Sequence, residues 1–186
     1  MRRDLEKDVV GKKIESTEVR PSKNAMRAIR RHAKRKDFTD RVDGHKVTKA
    51  ERRGKYLLLG FDHGTLILHL GMSGHLRVLP HHVPPQKHDH VDLQFGDHTV
   101  RFTDPRRFGA VLWHAQHEGD VEQHVLLRSL GVEPLTHPAL ANLLFQQTRG
   151  RSAAIKQVLL AGDIVVGVGN IYACESLFDA RIHPNT

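Results

Sequence analysis

Short apolar runs separated by turn residues recur between residues 42 and 113, and this pattern constrains the fold more than any other feature of the chain. The runs on either side of Asp62-His63-Gly64 are rich in leucine and isoleucine, so this segment predicts a β-hairpin. A second hairpin is predicted around Gly96-Asp97. Apolar and polar residues alternate from Val91 to Phe95, which predicts a strand with one buried face and one solvated face.

The pattern changes after Trp113, where apolar residues recur at helical spacing. A glycine that follows the first of these segments and a proline that opens the second are typical of helix ends. A shorter helix and a strand are predicted before the β-rich region. The predicted helices cover residues 1–13, 121–131, 138–147, 152–162 and 170–180, and the predicted first strand covers residues 14–20. The sequence therefore predicts a β-rich lobe over about residues 14–113, followed by an all-helical segment.

The basic residues are concentrated in the first third of the chain. Residues 1–60 contain 19 Lys and Arg against nine Asp and Glu, whereas residues 61–186 contain ten against 12. Such a surface attracts a phosphate-bearing partner through Coulomb forces and counterion release. A solvated face that only maintains solubility is the alternative, and the charge alone favours neither. The central basic run comprises Arg27, Arg30, Arg31, Lys34, Arg35 and Lys36.

Composition excludes several classes of protein. One cysteine among 186 residues cannot form a disulfide framework or a four-thiolate zinc site, and it indicates a reducing compartment. No stretch approaches the roughly 18 apolar residues of a membrane span, and the amino terminus has no apolar signal core. With 39% hydrophobic residues the chain can bury a core. We expect a basic, soluble, cytosolic protein with no membrane partner.

Three stretches are hard to explain by packing alone. HLGMSG predicts Met72 at a loop tip between two glycines, although methionine more often fills gaps in a core. TDPRRFG predicts an exposed Phe108 beside two arginines, which suits a wedge between bases; an ordinary turn with an Arg–Asp pair is the alternative. VGVGNIY predicts a glycine-rich turn that opens a helix with Asn170 at its cap, which suits an anion but is also a common turn.

These stretches, together with KHDHVDL (87–93) and the Ile-Lys pair at residues 155–156, have an order and spacing that strongly resemble the Fpg/Nei family of formamidopyrimidine-DNA glycosylases. The resemblance runs from about Arg2 to Thr186. It implies an α+β fold in which an N-terminal β-sandwich with flanking helices, over residues 1–116, precedes a partial helix–two-turn–helix module over residues 117–186.

The function that the resemblance implies is base-excision repair of DNA in bacteria. Family enzymes are DNA N-glycosylases with AP lyase activity that remove oxidised purines such as 8-oxoguanine and formamidopyrimidines through Schiff-base chemistry. They flip the damaged base out of the duplex, and this unstacking costs a few kcal/mol. The expected partner is therefore double-stranded DNA that contains an oxidised purine or an abasic site. A cytoplasmic monomer that associates with the nucleoid through DNA is also implied.

The resemblance assigns roles residue by residue. Met72, Arg106 and Phe108 match the residues that fill the void left by the extruded base, with Arg106 bonded to the orphaned cytosine and Phe108 inserted in the stack. Lys55 matches a proton donor in β-elimination that also contacts a phosphate. The remaining matches are His88 and Asn170 at phosphate-contacting positions, Lys156 near the damaged base, and Arg151 in a DNA-contacting segment.

The sequence departs from the family pattern at both ends. Family enzymes begin with Pro-Glu, where the proline amine is the nucleophile and the glutamate is the acid–base partner, whereas this sequence begins Met1-Arg2. The family's C-terminal zinc ribbon of four cysteines is absent, so we expect no metal and no cofactor in this chain. We also expect this polypeptide to be inactive or strongly impaired, and to form no adduct in borohydride trapping on an abasic-site duplex.

Two hypotheses of different class stay open. The first is a glycosylase and AP lyase whose sequence is incomplete, and the second is a catalytically inactive DNA-binding fragment. A histidine-rich metal-binding protein is a third reading, but the 15 histidines are scattered, and His88 and His90 belong to a motif that the resemblance explains. Cys174 is expected to be a small buried hydrophobic residue.

Overall fold

The computed structural model describes residues 2–20 and 35–186, and these form two compact units. The first unit contains the described residues up to Arg52 together with Tyr56–Val121, and the second contains Arg53–Lys55 and Glu122–Thr186. Most of the predicted basic run, namely Arg27, Arg30, Arg31 and Lys34, lies outside the described residues. Of that run, Lys36 is described as an exposed residue.

Eight strands form two four-stranded antiparallel sheets. The strands are β1 (Ser16–Val19), β2 (Lys49–Arg53), β3 (Tyr56–Phe61), β4 (Gly64–His69), β5 (His75–Pro80), β6 (Asp89–Gln94), β7 (His98–Thr103) and β8 (Ala110–Ala115). One sheet has the order β1-β6-β7-β5, and the other has the order β2-β3-β4-β8. Both predicted hairpins are confirmed, because β3 pairs with β4 and β6 pairs with β7 across the expected turns.

The two sheets and two helices share one hydrophobic core in the first unit. Val91 and Phe102 project into it from one sheet, and Leu59 projects into it from the other. Leu5 from the first helix and Phe38 from the second belong to the same cluster. Burying each such side chain contributes about 1.5–3 kcal/mol of transfer free energy. The predicted α+β fold, a β-sandwich with flanking helices, is therefore confirmed.

Five α-helices are present in the described residues. They are α1 (Arg2–Val9), α2 (Arg35–Val42), α3 (Leu140–Thr148), α4 (Ile155–Ala161) and α5 (Asn170–Asp179). The last three belong to the second unit and confirm the helices predicted over 138–147, 152–162 and 170–180, with somewhat shorter bounds. No helix in the described ranges is long and apolar enough to cross a membrane.

The helix predicted over residues 121–131 is wrong. Val121–Gln123 form a single 3-10 turn, and bends and turns continue to Ser129. The periodicity placed Val125 on an apolar face, but 42% of this residue is exposed, whereas Leu127 is the buried residue of the segment. Extended backbone follows, because Val132 makes a parallel bridge to Val165 and accepts a 3.0 Å hydrogen bond from the Val166 N–H.

The predicted solvated face of β6 is also wrong at Asp92, which is 2% exposed. Its carboxylate accepts hydrogen bonds from Arg101 at 2.8 and 2.9 Å and pairs with Arg20. Burial raises the pKa of Asp92, but the two guanidinium groups outweigh this effect and hold the pKa below its ordinary value. The alternation correctly predicts that Asp92 is on the polar face of β6. It cannot show that arginines pair with Asp92 and bury it.

Candidate nucleic-acid interface

Three of the motifs singled out in the sequence meet at the buried carboxylate of Asp104 in the first unit. Ser73, from the loop between β4 and β5, donates a 2.7 Å hydrogen bond to Oδ1 of Asp104. The backbone N–H of Gly109 donates to Oδ2 at 2.7 Å, and the N–H of Arg106 lies 3.3 Å from Oδ1. The N–H of Asp104 donates to the carbonyl of His88 at 3.0 Å. The Asp104 side chain thus fixes the loop that carries Ser73 and the loop that carries Arg106. The Asp104 backbone joins the motif that contains His88 to these loops.

The charge state of Asp104 suits this role. The residue is fully buried. Burial raises the pKa of Asp104, but the Ser73 hydroxyl and the N–H groups of Gly109, Arg107 and Arg106 together hold that pKa below its ordinary value. A carboxylate accepts several hydrogen bonds and donates none, so the ionised form matches the donors around it.

Glycine allows the two loops to approach each other. Gly71 has a φ of +66°, and a Cβ on it would lie 2.6 Å from the backbone nitrogen of Gly109. A Cβ on Gly109 would lie 2.6 Å from the ring of Phe102. A side chain at position 71 would push the two loops apart, and one at position 109 would clash with the buried ring below the loop, so both glycines serve packing at this site.

The predicted wedge residues are exposed on these loops. Met72 is 70% exposed and Phe108 is 50% exposed, which places both side chains in solvent at positions held by a buried anchor. The guanidinium carbon of Arg106 lies 4.9 Å from the centre of the Phe108 ring. Between them Arg107 has a φ of +58°, an unusual value for a residue with a Cβ. The sequence-based prediction that Met72 lies at a loop tip is confirmed.

His88 lies in the same unit, directly before β6. It is half-buried, and its Nδ1 atom is buried without a hydrogen-bond partner among the described residues. Because the carbonyl of His88 accepts from Asp104, its backbone is fixed relative to the loop that carries Arg106 and Phe108.

Lys55 lies in the second unit, on a short turn that is anchored by its neighbours. The Arg53 guanidinium donates to the carbonyls of Leu130 and Gly131 at 2.9 and 2.7 Å, and the Gly54 N–H donates to Glu133 at 2.6 Å. The exposed Lys55 ammonium donates to the carbonyl of Val168 at 2.8 Å. An ammonium has three donors, so this contact positions Lys55 and leaves donors for an anion.

Val168 belongs to the glycine-rich turn that opens α5. Gly167 has a φ of +82°, and the N-cap of the helix is Gly169, with no side-chain cap. Asn170 is therefore the first helical residue and not the cap that the sequence predicts. Its side chain is exposed at a helix end whose N–H groups and dipole favour an anion. The structure thus brings Lys55 and the segment before Asn170 together.

Lys156 and Arg151 lie elsewhere in the second unit. Lys156 is half-buried in the first turn of α4, and its backbone N–H donates to the carbonyl of Pro184 at 3.2 Å. Arg151 is engaged within the protein, since its guanidinium donates to Asp163 at 3.0 Å and to the carbonyl of Gln147 at 2.9 Å. An ion pair with 33% and 45% exposed side chains is weak and can exchange for another anion.

The described residues do not provide a metal centre. They contain no group of three or more His, Cys, Asp or Glu side chains placed to hold an ion. Cys174, the single cysteine of the sequence, is exposed on α5, so the prediction that it is buried is wrong. The helix buries Ala173 and Leu177, which lie on a different face. A four-cysteine zinc site does not fit the residues of this chain.

Sequence reasoning missed several residues of this surface. Asp104 and Ser73 were visible in their motifs, but a contact across 31 residues has no local signal. Lys87 opens the motif over residues 87–93, His75 directly follows HLGMSG, and Arg53 stands two residues before Lys55. A hydrogen-bond donor within or next to a motif is the signal that all three share.

Comparisons with known proteins agree with this arrangement. A family model described as the formamidopyrimidine-DNA glycosylase N-terminal domain matches residues 1–111, and the formamidopyrimidine-DNA glycosylase H2TH domain matches residues 130–186. A formamidopyrimidine-DNA glycosylase of Janthinobacterium sp. (strain Marseille) is 70% identical over 143 residues, which are 77% of this chain and 52% of that protein. One from Burkholderia thailandensis is 53% identical over 188 aligned residues, covering 100% of this chain and 66% of that protein.

Solved structures show the same fold. The complex of Lactococcus lactis Fpg with DNA containing an abasic site has a TM-score of 0.88 and 33% sequence identity, and covers 100% of this chain and 66% of that chain. The complex of the Lactococcus lactis protein with DNA containing Fapy-dG has the same TM-score and identity, with 67% of that chain covered.

Fold, motifs and relatives together define a protein built on the two-domain plan of a DNA glycosylase. The chain belongs to the formamidopyrimidine-DNA glycosylase family. It spans between about half and two thirds of the length of the relatives described above.

Proposed function

We propose that this chain is part of a base-excision-repair enzyme, a DNA glycosylase with AP lyase activity that removes oxidised purines such as 8-oxoguanine and formamidopyrimidines from double-stranded DNA. The 186-residue polypeptide, which begins Met1-Arg2 instead of Pro-Glu, should bind such DNA with little or no catalysis. The observation that carries the proposal is the exposure of Met72, Arg106 and Phe108 on two loops joined by Asp104. Apolar side chains exposed beside a guanidinium, on loops that Asp104 fixes, suit insertion between base pairs. The Lactococcus relative is solved with DNA that contains an abasic site, which supports the same partner.

The resemblance to the family supplies the roles proposed for each side chain. Phe108 wedges the stack, Met72 fills the void, and Arg106 bonds the base opposite the lesion. Lys55 contacts a phosphate and donates a proton during β-elimination, which suits an exposed ammonium held by the Val168 carbonyl. The remaining proposed contacts are His88 and Asn170 to phosphates, Lys156 near the damaged base and Arg151 to the DNA backbone.

The chemistry proposed for these residues uses no metal and no cofactor. Phosphate contacts position the duplex, and the wedge lowers the cost of extruding the damaged base. The relatives named above are bacterial proteins, so we place this activity at the bacterial chromosome in the cytoplasm, with the protein acting as a monomer.

Selective binding tests the recognition half of the proposal. We expect the 186-residue polypeptide to bind a duplex with an abasic-site analogue opposite cytosine at least tenfold more tightly than the undamaged duplex in a fluorescence-anisotropy titration. A double variant, Arg106→Ala with Phe108→Ala, should lose this preference and retain salt-dependent binding to both duplexes. Equal affinity of the wild-type chain for the two duplexes would contradict the proposal.

Borohydride trapping tests the catalytic half, and it decides between the two hypotheses that the sequence leaves open. We expect no adduct from the 186-residue polypeptide; a covalent adduct with an abasic-site duplex would contradict that expectation and support AP lyase chemistry in this polypeptide. Selective binding without an adduct supports the alternative, a DNA-binding fragment without catalytic activity.

A further inference from the structure

A depression of about 310 Å³ lies on the first unit at the start of the loop that carries Arg106 and Phe108. It is lined by His75 and Arg77 of β5 and by Lys87 and His88, which precede β6, and Pro105 bounds it on the side of that loop. His88 is expected to contact a phosphate; His75, Arg77 and Lys87 have no role in the function described above.

The lining of this depression is rich in hydrogen-bond donors. Arg77 and Lys87 carry full positive charges, and His75 and His88 present imidazole nitrogens. No carboxylate lines it in the described part of the chain. Asp89 pairs with Arg77 at 3.1 Å, but its side chain is fully buried, so the carboxylate holds the guanidinium without facing solvent. An anion that enters the depression meets donors and no exposed negative charge.

Two polar atoms of the lining residues lack partners. Nε of Arg77 and Nδ1 of His88 are buried and make no hydrogen bond within the described ranges. Unpaired buried polar atoms are rare, and each calls for an explanation. A tetrahedral anion accepts hydrogen bonds in several directions at once, so one phosphate in the depression can be bound together by the exposed donors of its lining, such as His75 and Lys87.

Hydrogen bonds between buried charged side chains and the backbone hold the segment before His88 in place. Arg101, which is 3% exposed, donates to the carbonyls of Val83 and Pro84 at 3.0 and 3.1 Å. The N–H of Gln86 donates to Oδ2 of Asp89 at 2.8 Å. Both ends of the segment that carries Lys87 and His88 are thus fixed before a ligand arrives, which lowers the entropy cost of binding.

We propose that this depression binds one backbone phosphate of the DNA, with His75 and Lys87 as contacts in addition to His88. The inference rests on the proposed function, since its ligand is the duplex. Pro105, which lines the depression, directly precedes Arg106. A phosphate bound here would therefore position the duplex next to the loop that carries Arg106 and Phe108. Contacts of this kind set register and orientation and do not read sequence.

Lys87→Ala and His75→Ala test the site, with Lys46→Ala and His82→Ala as matched controls, because both control residues are exposed and neither lines the depression. We expect each test variant to weaken binding about three- to tenfold, equally on abasic-site and undamaged duplexes. Lys87→Ala should also reduce the slope of log Kd against log salt by about one. The controls should leave affinity and slope unchanged, and all four variants should melt at the wild-type temperature.

A methylphosphonate scan identifies the phosphate. Replacing single phosphates by neutral methylphosphonates should reveal one position at which the replacement and Lys87→Ala are not additive, because both remove the same contact. Strict additivity at every position would overturn the proposal.

The outcomes separate this inference from the proposed function. If the wild-type chain binds the abasic-site duplex selectively while Lys87→Ala and His75→Ala behave like their controls, the depression is not a phosphate site and the proposed function stands. If the wild-type chain binds no duplex, both proposals fail.

Discussion

Ser73 and Asp104, 31 residues apart, are joined by a 2.7 Å hydrogen bond from the Ser73 hydroxyl to Oδ1 of the buried carboxylate. This bond ties the loop that carries Met72 to the loop that carries Arg106 and Phe108. The exposed wedge therefore depends on a group that never reaches solvent. In the proposed function, stability and DNA recognition are therefore coupled at this point of the first unit.

Replacing Asp104 tests that coupling. Asp104→Ala removes the acceptor for the Ser73 hydroxyl and the Gly109 N–H, and it leaves buried donors unsatisfied. We expect a loss of about 2–4 kcal/mol in the free energy of unfolding, measured by urea denaturation. Asp62→Ala, at an exposed turn position, is the matched control and should unfold like the wild-type chain. Wild-type stability of Asp104→Ala would show that the carboxylate does not anchor the loops.

Acid should destabilise the first unit through three carboxylates. Burial raises the pKa values of Asp89, Asp92 and Asp104, but their hydrogen bonds and ion pairs outweigh this and leave all three lowered. A carboxyl group whose folded pKa lies below its unfolded value of about 3.9 adds stability above that pH. This stability is lost as pH falls through the folded pKa. Burial raises the pKa of Asp43, so this one group has the opposite effect on the pH dependence of the free energy of unfolding.

We therefore expect the free energy of unfolding to fall steeply below about pH 4, where these carboxylates become protonated. Urea unfolding at a series of pH values measures this dependence. Asp92→Asn should flatten the acid limb, because it removes one of the titrating groups. Stability that rises between pH 5 and pH 3 would contradict the assignment.

Lys55→Ala should weaken DNA binding without changing lesion preference. The ammonium contacts phosphate in the proposed function, so its loss should reduce the salt slope by about one and affect damaged and undamaged duplexes alike. Lys49→Ala is the control, because Lys49 is exposed and pairs with Glu51 at 2.8 Å. If Lys55→Ala retained the wild-type slope and affinity, Lys55 would not be a phosphate contact.

Arg106→Ala should alter the choice of the base opposite an abasic site. Loss of the proposed bond to cytosine should reduce the preference for cytosine over adenine at that position by about tenfold, within the usual range of 1–3 kcal/mol for such a contact. Arg149→Ala is a matched control, since Arg149 stacks on the exposed Phe145 at 4.0 Å in α3 and should retain the preference. An unchanged preference in Arg106→Ala would exclude this role.

The hairpins and the exposure of Met72 could be predicted because each depends on residues close together in sequence. The burial of Asp92 could not, since it requires Arg20, which directly follows β1, and Arg101 of β7. The false helix over 121–131 has the same origin: burial there selects Leu127, and local periodicity does not contain that information. Asp104 shows the limit most clearly, because its motif marks the loop while its partner Ser73 belongs to another motif.

The Phe108 loop is proposed to extrude a base from the duplex. The fluorescence of 2-aminopurine at the target position of a duplex measures this extrusion. Unstacking raises this fluorescence, so the wild-type chain should increase it on binding, and Phe108→Ala should bind with a much smaller increase. Phe145→Ala, which removes another exposed phenylalanine (60% against 50% for Phe108), should match the wild-type chain. Binding by the wild-type chain with no rise in fluorescence, or an equal rise with Phe108→Ala, would contradict the account.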